Sequence, residues 1–150
     1  MKIPNDKVPF VLAQRVSRLS TIKGDRIHTV PVVHVLDGNF IYITTRKMGK
    51  KTRNIRSNRN VTLLIDEYAE DWRREIGVMI QGKVDIIEKG RNFNHAKKIL
   101  EEKYPIFKTA YPISEKVSVI LKLRPEHIVS WDYTKGEFAE PEWKGSEIRK

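Results

Sequence analysis

A strand-like run, Phe40-Ile41-Tyr42-Ile43, leads directly into Thr44-Thr45-Arg46-Lys47-Met48-Gly49-Lys50-Lys51. Hydroxyls and cations crowd this short stretch, and the pattern places Lys50 and Lys51 at the first positions of a helix over 50–57. A helix start already carries the positive end of the dipole and a set of unpaired N–H groups. Acidic or neutral capping residues are the stabilising choice there. Paired lysines become favourable if an anion, most simply a phosphate, binds between them and the free N–H groups. A solvated basic turn is the competing reading, and it is how most basic runs are used.

Other chemistries find less support. His28, His34, His95 and His127 show none of the H-x-H, H-x-x-x-H or H-E-x-x-H spacings of metal sites, so no metal ligand is assigned. His28 and His34 on one strand would stand roughly 20 Å apart, too far to share an ion. Ordinary surface or barrel-rim positions account for all four. No G-x-S-x-G elbow, P-loop or G-x-G-x-x-G occurs. The acidic cluster Asp66-Glu67 and Glu70-Asp71 reads as a solvated loop. Tyr68 and Trp72 in that loop suit a subunit interface, a ring-shaped ligand, or packing across a barrel end, the last being the simplest. No catalytic residue is assigned.

Composition narrows the class. The chain has 150 residues, no cysteine, and 29 Lys+Arg against 19 Asp+Glu, a formal charge of +10. The absence of cysteine excludes thiolate catalysis and zinc–thiolate sites, and it suits a reducing compartment. No secretory signal or membrane span is read, because Val8 to Ala13 is short and interrupted by Pro9. The expectation is a cytoplasmic protein. Its charge attracts anions, including phosphorylated cofactors and nucleic acid, without choosing between them. A basic β-barrel that binds nucleic acid or another polyanion without redox chemistry therefore stays open.

The elements that must position the basic run are mostly strands. Asp6 is expected to cap a short helix over 8–14. Strands are expected over 15–22, 28–36, 39–45 and 61–66, with Asp37-Gly38 as a hairpin turn. Pro31 argues for an edge strand or a bulge. A long strand over 76–88 carries Gly82 as a bend or bulge. Phe93, Ala96, Ile99 and Leu100 define one helix face that ends at Pro105. Two further strands, 116–123 and 128–133, are separated by a turn at Arg124-Pro125-Glu126. One domain over 1–150 is predicted, with a core of about 15–133 and an irregular charged tail over 134–150. The class is mainly β (α+β), an antiparallel barrel or coiled sheet with few helices.

Taken in order, several segments become recognisable: Arg18-Leu19-Ser20-Thr21-Ile22, His28-Thr29-Val30-Pro31-Val32, Asp37-Gly38-Asn39-Phe40-Ile41-Tyr42, Lys50-Lys51-Thr52-Arg53-Asn54-Ile55 and Asn58-Arg59-Asn60-Val61-Thr62-Leu63. With Gln81-Gly82-Lys83-Val84 and Ile128-Val129-Ser130-Trp131-Asp132, this set resembles the FMN-binding split-barrel family related to pyridoxamine 5′-phosphate oxidase. The resemblance implies a six-stranded antiparallel split β-barrel with peripheral helices. It also implies a homodimer, FMN or a deazaflavin coenzyme at the interface, and oxidoreductase chemistry on a small molecule. The implied phosphate contacts are Thr44, Thr45, Lys50 and Lys51. His28, Val30, Pro31 and Val32 are implied beside the ring, and Gln81 as a contribution from the second subunit, with Trp72 and Trp131 as weaker candidates. The oxidase's arginine-rich substrate contacts have no match after Trp131, so a general FMN-binding protein or flavin reductase is expected. A deazaflavin-dependent reductase is the nearest alternative.

Overall fold

A computed structural model describes residues 1–135 and, as backbone, 142–144. Most of the expected tail, 136–141 and 145–150, lies outside the described residues. The elements are α1 (Val8–Ala13), β1 (Ser17–Lys23), β2 (Arg26–Val32), β3 (Val35–Asp37), β4 (Phe40–Arg46), α2 (Lys50–Ser57), β5 (Asn60–Glu67), β6 (Ile76–Ile87), α3 (Arg91–Lys103), β7 (Ser118–Asp132) and β8 (Glu142–Lys144). The strands form one antiparallel sheet in the order β2-β1-β5-β6-β7-β4-β3, with β8 added alongside β7. The sheet curls without closing, because β2 and β3 stand at its two ends. This is the split barrel of the expected α+β class.

Sequence explains the path. Gly24 and Gly38 adopt φ of 60° and 58°, the left-handed backbone that tight hairpins require, and each joins consecutive strands. Pro31 lies in β2, an end strand, where a missing N–H costs no ladder bond. Alternation then sorts the side chains. Leu19, Ile41, Ile43, Leu63, Ile80 and Leu121 fill the barrel interior. Tyr42 and Ile120 point to the other face, where Phe93, Ala96 and Leu100 of α3 cover them in a second core. Ile55 of α2 and Val11 of α1 close the interior.

Four local expectations are corrected. The strand foreseen over 28–36 breaks after Val32. His34 turns inward, with Nε2 3.1 Å from the Val11 carbonyl, while its backbone N–H and C=O both engage the Tyr104 hydroxyl. The backbone groups at that point are satisfied by a side chain of another element, so the ladder stops there. His34 is thus fully buried, neither a surface nor a rim histidine.

The two strands expected around Arg124-Pro125-Glu126 are one continuous strand, β7. Its register against β6 slips between Gln81 and Gly82, so the bulge absorbs Pro125 where a turn was expected. Asp6 does not cap α1. Its carboxylate instead takes bonds of 2.7 Å from Lys7 and 2.7 Å from Lys135, and buried Lys7 also pairs with Asp132 at 3.2 Å. Among the described residues, no helix is long and apolar enough to cross a membrane.

Candidate functional site

The helix start behaves as the residue types imply. Gly49 is the N-cap of α2, with extended backbone and no side-chain cap, and the first turn carries no acid. Gly49 N–H and the Thr52 hydroxyl both donate to the Arg46 carbonyl, at 3.0 and 2.7 Å, which fixes the β4–α2 connection. Neighbouring cations are engaged: Lys47 Nζ donates to the Glu115 carbonyl, Arg53 to the Met48 carbonyl, and Arg56 to Glu88. Lys51 differs. It is half-buried, it has no hydrogen-bond or ion-pair partner among the described residues, and burial pushes its ammonium below the usual lysine range. Lys50 beside it is exposed.

Three residues beyond Lys51, hence on the same side of the helix, lies buried Asn54. Its Nδ2 donates to the Thr21 hydroxyl at 3.0 Å. Thr21 is the cross-strand partner of His28, and the Nδ1 of His28 is buried without a partner. The corner where α2 meets the β1–β2 hairpin therefore holds a fixed amide–hydroxyl pair flanked by polar groups with no partner of their own. A buried polar group left unpaired costs free energy, so such groups suit a ligand that completes them.

The remaining anticipated residues are distributed by strand alternation. Thr45 follows Ile41 and Ile43 on the interior side of β4. Thr44 points to the α3 side and reaches the Val119 carbonyl at 3.4 Å. Consecutive strand residues face opposite ways, so Thr44 and Thr45 present hydroxyls to different faces. In β2, Val30 packs against the interior core and Val32 belongs to it, while Pro31 is exposed on the opposite side.

Gln81 lies elsewhere again, on the outer wall of the sheet, where it lines a groove of roughly 540 Å³. That volume falls within the ~300–1,000 Å³ of small-molecule pockets. Cross-strand registers run Thr29–Ser20–Thr62–Gln81–His127, one polar row crossing five strands. At about 4.8 Å per strand, Ser20 to His127 spans roughly 14 Å. Ser20 and Thr29 hydroxyls bond each other at 2.8 Å, whereas Thr62, Gln81 and His127 side chains have no partner among the described residues. Ile22, Ile27 and Met79 supply apolar lining.

The β7 bulge also matters here. Adjacent residues Glu126 and His127 both line the groove, where an unbulged strand would send them to opposite faces. Neither this row nor the Thr21–Asn54 pair was foreseen from sequence, since both depend on which strands become neighbours. Tyr68 and Trp72, expected to pack across a barrel end, are 65% and 61% exposed, because their loop and the short turn over 72–74 lie off the sheet.

Comparison with known proteins bears on this geometry. The family model described as pyridoxamine 5′-phosphate oxidase matches residues 5–132. No curated protein matches the chain. Among solved structures, a conserved hypothetical protein from Mycobacterium tuberculosis superposes with a TM-score of 0.78 at 18% identity, covering 98% of this chain and 95% of that one. A putative pyridoxamine 5′-phosphate oxidase from Listeria innocua gives 0.64 at 24% identity, over 82% and 94%. A FAD-binding protein from Mesorhizobium loti gives 0.66 at 21% identity, over 83% and 88%. At these identities the likeness establishes the fold.

Proposed function

We propose that this chain, which belongs to the pyridoxamine 5′-phosphate oxidase family, is an FMN-binding oxidoreductase of the cytoplasm acting on a small molecule. The observation that carries this reading is Lys51, half-desolvated and with no counter-ion among the described residues, at an uncapped helix start. A phosphate dianion would meet Lys50, Lys51 and the first N–H groups of α2, bonds of the charge-assisted kind. Thr45 stands on the interior side of the strand leading into that turn and would add a hydroxyl; Thr44, on the other face, would contribute through its backbone. The Thr21–Asn54 bond holds α2 against the β1–β2 hairpin, so the phosphate anchor and the ring-side residues His28 and Val30 keep a fixed relation.

When bound, FMN would supply hydride or electron transfer, and the protein would position it and shape its surroundings. The outer-wall position of Gln81 fits a homodimer in which each copy's groove meets the other copy's cofactor. The +10 charge serves this reading by drawing a phosphorylated cofactor to the site.

The test is titration of purified protein with FMN, followed by flavin fluorescence, beside riboflavin, which lacks the phosphate. Lys50→Ala with Lys51→Ala should weaken FMN binding on the order of a hundredfold, from two charged hydrogen bonds lost, and riboflavin binding far less. Protein that binds no flavin overturns the proposal. Unchanged FMN affinity in the double variant overturns the placement of the phosphate. A monomer by light scattering, at concentrations where FMN is bound, overturns the shared arrangement.

A further inference from the structure

Away from the α2 start and the outer-wall groove, two cations converge where the end of α3 meets the segment following α1. Lys103, the last residue of α3, donates from Nζ to the Gln14 carbonyl at 2.7 Å, and Arg15 donates from Nη2 to the Lys103 carbonyl at 2.9 Å. Each side chain is thus tied to backbone beside the other. Both also lie over the Tyr104 ring, with Arg15 Cζ 4.8 Å and Lys103 Nζ 5.6 Å from its centroid. No carboxylate of the described residues pairs with either cation; Glu67 accepts from the Gln14 side chain at 3.1 Å. Burial, and to a lesser extent repulsion by Arg15, pulls the Lys103 ammonium down to about 8. The other titratable groups at this corner supply no negative charge. His34 is buried and repelled by Lys103, and burial pushes the Tyr104 hydroxyl up while it donates to backbone carbonyls.

We propose that Lys103 is a carbamylation site, at which the ε-amine takes up carbon dioxide and the Arg15 guanidinium holds the resulting carbamate. The amine lone pair forms a bond to the carbon of carbon dioxide, one C=O electron pair moves onto oxygen, and an N–H proton leaves to water. A cation is replaced by an anion, with no oxidant or further reactant. The N–H that remains on the carbamate still donates to the Gln14 carbonyl, as the amine does. Its two oxygens face a planar guanidinium that is always charged, so the repulsion felt by the ammonium becomes a charge-assisted attraction. A helix C-terminus disfavours negative charge, but Arg15 already caps the terminal carbonyl of Lys103 itself. Carbon dioxide needs no cavity, and Lys103 is only half-buried. Lys51 is half-buried too, yet burial alone lowers it, with no neighbouring cation to receive an anionic product. Nothing in this proposal depends on the flavin reading.

Chemical trapping tests it. The protein is equilibrated with isotopically labelled bicarbonate at about pH 8, carbamates are fixed as esters with triethyloxonium, and the peptides are read by mass spectrometry. Trapping at Lys103 should exceed that at the exposed Lys98 and Lys108 by about tenfold or more. Acetic anhydride gives an uncharged product at the same amine and so reports its nucleophilicity alone. Arg15 is exposed, so its replacement spares the core. Arg15→Met should lower trapping at Lys103 by about threefold or more beyond any loss of acetylation, because it removes the counter-ion of the product. No trapping at Lys103, trapping no greater than at Lys98 and Lys108, or parallel changes in trapping and acetylation in Arg15→Met overturns the proposal.

Discussion

Acidification should unfasten this protein through one side chain, His34. The ring is completely buried, and its Nε2 lies 3.1 Å from the Val11 carbonyl. A carbonyl only accepts, so Nε2 carries the proton, and Nδ1 is left as a buried acceptor with no donor. Burial therefore pulls the histidine from an ordinary value of 6.5 down to about 4; the Val11 bond opposes this, and the Lys103 ammonium adds a smaller repulsion.

The sign follows from linkage. Between pH 6.5 and 4 the unfolded chain binds a proton at His34 that the folded chain refuses. The stabilisation is complete above pH 6.5 and is lost as pH falls toward 4. At about 1.4 kcal/mol per pH unit, the loss approaches 3 kcal/mol, a large share of an ordinary folding free energy. Urea denaturation at intervals from pH 7 to pH 4 measures it, with His34→Gln as the reference. The glutamine amide can donate to Val11 but does not titrate. The wild-type protein should lose about 3 kcal/mol more than the variant over this interval. Parallel pH dependences would refute the reasoning. Carboxylates such as Asp132, held below their usual range, add acid sensitivity only below about pH 4, where the comparison ends.

Three further outcomes are expected. Gly82→Ala should destabilise by about 3 kcal/mol in denaturant unfolding, because a Cβ there would strike the Arg124 carbonyl inside the bulge. Tyr104→Phe should cost about 1–3 kcal/mol, since its hydroxyl lies 2.8 Å from both the His34 and Arg15 carbonyls; hydrogen exchange at residues 33–35 should accelerate with it. Lys7→Met should cost about 3 kcal/mol at pH 7, because it leaves the largely buried carboxylate of Asp132 short of its closest cation. Asp132 is held below the usual carboxylate range, so that penalty should shrink as acid protonates the carboxylate that Lys7 pairs with, and a penalty that stays constant on acidification would count against the pairing.

What the sequence disclosed was governed by the range of the interactions involved. The Asp37-Gly38 turn, the α2 limits at Lys50 and Ser57, and the edge position of Pro31 follow from local backbone chemistry, and the structure agrees. Gly82 was readable as a bulge. That the same bulge keeps β7 continuous through Pro125 was not, because the compensation comes from the opposite strand. Likewise the β-branched run from Val30 to Val35 looks like one strand until Tyr104, some seventy residues away, takes the backbone groups of His34. The cationic start of α2 was legible because lysines at a helix start conflict with local electrostatics. The groove was not: the family resemblance singled out Gln81 alone, and it joins Ser20, Thr62 and His127 in a row only through three registers.

The position of β7 has a consequence for how the chain is made. It is hydrogen-bonded on both flanks, to β4 through Ser118–Leu123 and to β6 along most of its length, yet it lies near the C-terminal end of the described barrel. Until it emerges from the ribosome, β3–β4 and β2-β1-β5-β6 are two separate sheets with open edges and half-covered interiors. Synthesis cannot lay down the barrel progressively. The two pieces must wait, exposed to mispairing, for the strand that joins them. A truncation or a translational pause before residue 118 should therefore yield aggregation and not a gradual loss of stability.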